Sequence, residues 1–68
     1  MKMKCWIARD GFGGTLALFS YKPYRPYEGL GLWHMRKGGV FQLPKEMFPE
    51  LKWEHEPMMV EVTITPIK

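Results

Sequence analysis

Cysteine is almost missing from this 68-residue chain. Cys5 stands alone, so no intramolecular disulfide can staple the fold. Beside Trp6 and Ile7, a lone thiol reads as a small buried hydrophobe, suited to a reducing cytoplasm. Long apolar runs are missing too. Nothing approaches the ~20 consecutive apolar residues that span a bilayer. Lys2 and Lys4 are not followed by the apolar stretch of a secretory signal before Arg9 and Asp10 arrive. These absences predict a soluble cytoplasmic protein with no membrane partner.

The motifs of catalysis and cofactor binding are also lacking. Cys5, His34 and His55 are isolated, and no CxxC or HxxxH pair offers zinc-ligand spacing. Cys5 lies in an apolar stretch, where a thiol is inert. Ser20 sits in no nucleophile-elbow pattern. The Gly-rich segment DGFGG at 10–14 contains neither GxGxxG nor a Walker lysine, and it leads into a strand pattern rather than the helix N-terminus that cradles phosphate. Glu54 and Glu56 flank a bend near Lys52 and read as solvated acids. No catalytic residue, metal ligand or cofactor is therefore assigned, and the chain is read as a non-enzyme.

What is present suits a small β domain. Seven Gly and six Pro break the chain into short elements, which leaves no room for long helices. Hydrophobic residues make up 46%, the share of an ordinary globular protein rather than a disordered one. A chain this short buries only ~60% of its unfolded surface, so each buried ring matters. The aromatic share of 15%, with three Trp, is the obvious source of core energy. A second copy of the chain would be another.

Residues 3–9 alternate Met3, Cys5 and Ile7 against Lys4, Trp6 and Ala8, a strand signal. Asp10 to Gly14 supplies a turn, and Thr15 to Tyr21 reads as a second strand, closing a hairpin. Pro23 and Pro26 keep 22–29 as an extended loop. Leu30 to Arg36 reads as a third strand, which turns through Lys37, Gly38 and Gly39 into a fourth at Val40–Leu43. Pro44 to Phe48 suits one helical turn that Pro49 ends. Met58 to Thr65 is rich in β-branched residues, and Met58, Val60, Val62 and Ile64 are expected to face the core. The fold class expected is mainly β with one short helical turn: a single domain over 1–68, built as a small twisted antiparallel sheet or partial barrel of four to five strands.

The order of these pieces carries a resemblance. IARD at 7–10, the Gly turn, LALF at 16–19 and KP at 22–23 form one block. LP at 43–44, FPELKWE at 48–54 and EPMMVEV at 56–62 form another. Together they resemble a group of small uncharacterised proteins of bacteria and their phages. The resemblance implies a compact domain in a mobile-element or accessory setting, and it brings no activity or site residues with it. In FPELKWE, Pro49 turns the chain so that Phe48 and Trp53 are expected to anchor it on the sheet, with Glu50, Lys52 and Glu54 in solvent.

Charge is unevenly placed. Residues 1–34 carry five Lys/Arg against two acids, and residues 35–68 carry five of each. Between 46 and 61 five Glu face only Lys52. Such a dipolar surface suits contact between copies or a mixed-charge partner. The segment YKPYRPY at 21–27 sets three Tyr among Lys22 and Arg25 on a Pro-stiffened loop. Pro lowers the entropy lost when such a loop binds. Tyr21, Lys22, Tyr24, Arg25 and Tyr27 are the expected partner-binding residues, with Trp33, Arg36 and Lys37 extending the surface. Tyr24, Arg25, Tyr27 and Trp33 are the expected exposed hot spots, because Tyr, Arg and Trp dominate interface energies. The function expected is that of an accessory protein that binds another protein or a second copy of itself. The alternative is weak binding of single-stranded nucleic acid through the same loop, by stacking on Tyr and pairing of Lys and Arg with phosphates.

Overall fold

The computed structural model describes residues 1–25 and 30–67. Among these residues are four strands: β1 (Lys2–Arg9), β2 (Leu16–Phe19), β3 (Val40–Leu43) and β4 (Met58–Thr63). They form one antiparallel sheet in the order β3-β2-β1-β4. The sheet is open, with β3 and β4 as its edges. No helix among the described residues is long and apolar enough to cross a membrane.

The register sorts the side chains. Ile7 lies opposite Leu18 on one side and Met58 on the other, while Ala8 lies opposite Ala17. Side chains alternate along a strand, so these pairs mark opposite faces. On one face, here the aliphatic face, Ile7, Leu16 and Leu51 are buried, with Leu18, Leu43, Met58 and Val60 packed around them. On the other, the aromatic face, Ala8, Ala17, Phe19 and Trp33 are buried, with Met35 and Trp53 against them. The two small side chains of the Ala8–Ala17 pair let the Trp33 ring lie close to the sheet.

Along β4, Met58, Val60 and Val62 are half-buried while Met59, Glu61 and Thr63 are exposed, the expected alternation. Ile64 falls beyond the strand and is 52% exposed, so it does not join the core. The second strand is shorter than expected, ending at Phe19 rather than Tyr21.

The third strand expected over 30–36 does not form. Only His34 bridges, to Tyr24, so residues 30–43 are not a hairpin, and β3 pairs instead with β2. The reason lies in where the backbone groups go. Gly31 takes a left-handed φ of 70°, and its carbonyl accepts the Phe12 N–H at 3.0 Å. The Trp33 N–H donates to Asp10 Oδ1 at 2.9 Å. Segment 30–33 is thus tied to the hairpin turn of β1 and β2, and those groups are lost to any ladder.

Residues 44–57 carry the chain from the edge strand β3 to the edge strand β4. The helical turn expected at 44–48 is a single bend closed by the Met47 N–H on the Pro44 carbonyl. Leu51, 6% exposed, anchors this crossover on the aliphatic face. Phe48 does not, because it lies outward at 37% exposure with a φ of 49°. That left-handed conformation costs an aromatic residue on the order of 1 kcal/mol. It turns the Phe48 carbonyl inward, where it accepts from the Leu51 N–H and from Arg9. Arg9 holds the whole crossover. Its Nε donates to the Leu51 carbonyl at 2.6 Å, and Nη1 and Nη2 reach the carbonyls of Gly14, Lys45, Met47 and Phe48.

Candidate functional site

The end of β2 sets the position of the 20–25 segment. The Ser20 hydroxyl accepts the Gly39 N–H at 2.7 Å, and the Ser20 N–H donates to the Gly39 carbonyl. Gly38, at a φ of 93°, packs so tightly on Ser20 Oγ and the Tyr21 ring that a Cβ there would collide with both. Beyond Tyr21, Pro23 is buried and fixes the chain direction. Tyr24 and His34 then exchange two backbone hydrogen bonds of 2.8 and 2.9 Å. That bridge lays residues 21–25 beside residues 33–37, two segments that no strand pairing joins.

An arginine between two tryptophans clamps the pair to the crossover. The Arg25 guanidinium sits 4.3 Å from the Trp33 ring centre and 4.5 Å from that of Trp53. Its Nη2 donates to the carbonyls of Trp53 and His55. Trp33 and Trp53 meet edge to face at 5.4 Å, and the Trp33 indole N–H donates to the Arg9 carbonyl at 2.9 Å. A cation held between two partly desolvated rings is worth ~1–2 kcal/mol per ring, so this stack is structural. His55 Nδ1 accepts the Lys52 N–H and caps the adjoining turn.

Above the stack opens a cleft of about 670 Å³. Six of the expected site residues line it: Tyr21, Lys22, Tyr24, Arg25, Trp33 and Arg36. Tyr27, the seventh, lies outside the described residues, as do the other residues of 26–29. The lining residues differ in exposure. Tyr21 and Tyr24 are exposed, as are Lys22 and Arg36, whereas Trp33 is only 9% exposed and forms part of the floor. Trp33 and Arg25 are therefore not the freely exposed hot spots that composition suggested. They are bound into the packing that builds the cleft, because the Ala8–Ala17 pair gives the Trp33 ring a place on the sheet.

Charge in the cleft is one-sided. Among the described residues, Lys22, Arg25, Arg36 and Lys37 line it, against Glu56 as the single carboxylate. Two of these cations lie over tyrosine rings: Arg36 is 5.3 Å from the centre of Tyr24, and Lys37 is 4.7 Å from that of Tyr21. The tyrosines thus serve as rests that hold two cationic heads in place. Glu56 is the lining residue that sequence reasoning missed. It is about thirty positions from the loop, and the Arg25 clamp on Trp53 and His55, with the Trp33–Trp53 contact, brings its segment there. Comparison with protein-family models, curated proteins and solved structures returns no match for this chain.

Proposed function

We propose that this protein is a non-enzymatic binding module whose cleft at 21–25 and 33–37 takes an acidic segment of a partner protein. The observation that carries the reading is the placement of Arg36 and Lys37 over the exposed rings of Tyr24 and Tyr21. Cations positioned in advance lose little side-chain entropy on meeting a carboxylate. The same placement disfavours nucleic acid. Base stacking needs open ring faces, yet one face of Tyr21 and one of Tyr24 carries a cation and Trp33 is buried in the floor. An accessory role in a bacterium or its phage belongs to the same proposal and rests on the motifs at 7–23 and 43–62. A cytoplasmic setting does too, supported by the free, buried Cys5.

Fluorescence anisotropy with a labelled Glu-rich peptide and a labelled oligothymidylate tests the reading. The peptide should bind saturably, and the double variant Arg36→Glu, Lys37→Glu should weaken it at least ~10-fold, since two rim charges contribute about 1 kcal/mol or less each and reversal adds repulsion. Peptide binding that ignores the double reversal, or its absence at low salt, refutes the proposal. Tighter binding of the oligonucleotide, with the steep salt dependence of counterion release, would assign the cleft to nucleic acid instead.

A further inference from the structure

Among the described residues, the aliphatic face of the sheet is only half covered. The crossover lies over the end near Arg9 and Leu16, where Leu51 is buried. At the other end, Met3, Leu18, Phe41, Val60, Val62 and Ile64 share the face by register and alternation. None of these side chains carries a charge or a hydrogen-bonding group. Phe41 is 65% exposed and Met3 39%. Between Met3, Leu18 and Phe41 runs a shallow groove of about 210 Å³ with Cys5 at its base.

We infer that this bare half-face is the contact between two copies of the chain, stacked sheet on sheet about a two-fold axis. Three observations select a second copy as the occupant. First, the area fits. The six side chains leave on the order of 400 Å² open, as large as the biggest apolar patches of monomers and about half of the ~800 Å² that each partner buries in a stable complex. Homodimer interfaces are about two-thirds apolar, so backbone and rim polar atoms are required to supply the rest. Second, the face offers nothing to select a chemically distinct partner. Its six side chains are uncharged and apolar, and Phe41 stands beside a groove able to take a ring, so its own image is a complementary surface, and a two-fold pairing is the commonest closed arrangement. Third, the single chain is short of core. Eight hydrophobic residues among those described fall in the buried class, and only Ile7 and Leu16 are large side chains that are fully buried. Small domains commonly make up this shortfall by association.

The geometry also limits the arrangement. The crossover stands as a step on the aliphatic face, so two sheets can approach to the ~10 Å of packed β-layers only where both are bare. The two bare halves therefore oppose each other, with the crossovers flanking the contact on either side. Each Phe41 ring then seats in the groove of the other copy, beside Met3 and Leu18. This pairing leaves the cationic cleft on the opposite face free, so the cleft's binding and the pairing are independent.

Sedimentation equilibrium over a wide concentration range, with light scattering, tests the inference. The chain should run at twice its 8.0 kDa mass. Phe41→Glu should shift the dissociation constant upward at least ~100-fold. Gln42→Glu, one residue along on the other face, should leave it within about threefold. Near-ultraviolet circular dichroism from the aromatic face should be unchanged in both variants and so separates lost pairing from lost fold. If Phe41→Glu unfolds, Val62→Glu is measured in its place with the same expectation. A chain that is monomeric at millimolar concentration overturns the inference, as does a dimer that survives both substitutions. A monomer that instead binds phosphatidylcholine vesicles through Phe41 also overturns it, since the face would then belong to lipid.

Discussion

Arg9→Ala removes the side chain that ties the crossover to the sheet, and the loss can be sized from its contacts. Five guanidinium hydrogen bonds end on backbone carbonyls. Three of them, to Lys45, Met47 and Phe48, are exposed, and water replaces them at small cost. The bonds to Leu51 and Gly14 are part-buried, and a charged hydrogen bond of that kind is worth ~1.5 kcal/mol or more. Arg9→Ala should therefore cost about 3 kcal/mol, against the roughly 3–10 kcal/mol that a chain of this length possesses in all. In thermal unfolding that is a fall in Tm on the order of 10–20 °C. Arg9→Lys keeps the charge but cannot span five carbonyls with one ammonium, so it should recover only about half of the loss. If Arg9→Ala costs less than ~1 kcal/mol, or if the Lys variant matches the parent, the crossover is held by something other than the guanidinium fork.

Two further substitutions probe the supports of the site. Gly38→Ala places a Cβ against Ser20 Oγ and the Tyr21 ring at a φ of 93°, and should cost about 2 kcal/mol or more in urea unfolding while altering the Tyr21 signals in an NMR spectrum; a neutral result means that 37–39 turns differently. Leu51→Ala empties the buried anchor of the crossover and should cost about 3 kcal/mol by the same measurement, whereas Phe48→Ala, at an exposed ring, should cost under about 1 kcal/mol.

The strands that the sequence made legible are those whose alternation and turns agree. β4 follows its period-two burial, β1 forms where its alternation predicts a strand but is buried on both faces at Ile7 and Ala8, and VFQL forms β3 over the very residues expected, with Gly38 before it and Pro44 after it. Leu30 to Arg36 shows the same alternation and yet is not a strand, because Asp10, 23 positions from Trp33, and the Phe12 N–H claim its backbone groups. Periodicity reads what a segment would do alone and cannot register a distant side chain that competes for its N–H. The role of Arg9 was hidden for a related reason: its five acceptors are all backbone carbonyls, which leave no mark in sequence. In the FPELKWE segment the anchor is Leu51 rather than Phe48, because the left-handed Phe48 sends its ring outward. The cleft was legible as a cluster of Tyr, Lys and Arg around 21–25 and 33–37. Its division into a buried Arg25–Trp33 floor and exposed Arg36 and Lys37 was not, since burial depends on the Ala8–Ala17 pair and on Trp53 arriving from the crossover.

The cleft is formed in the free chain, and hydrogen exchange at Trp33 and the Tyr24–His34 bridge measures this directly. The Trp33 indole and amide protons, bonded to the Arg9 carbonyl and to Asp10 Oδ1, should exchange slowly, along with the reciprocal amides of Tyr24 and His34. Exchange of all four at unprotected rates, while the amides of Ile7 and Ala8 in β1 stay slow, would show a formed sheet without a formed cleft and would contradict the account.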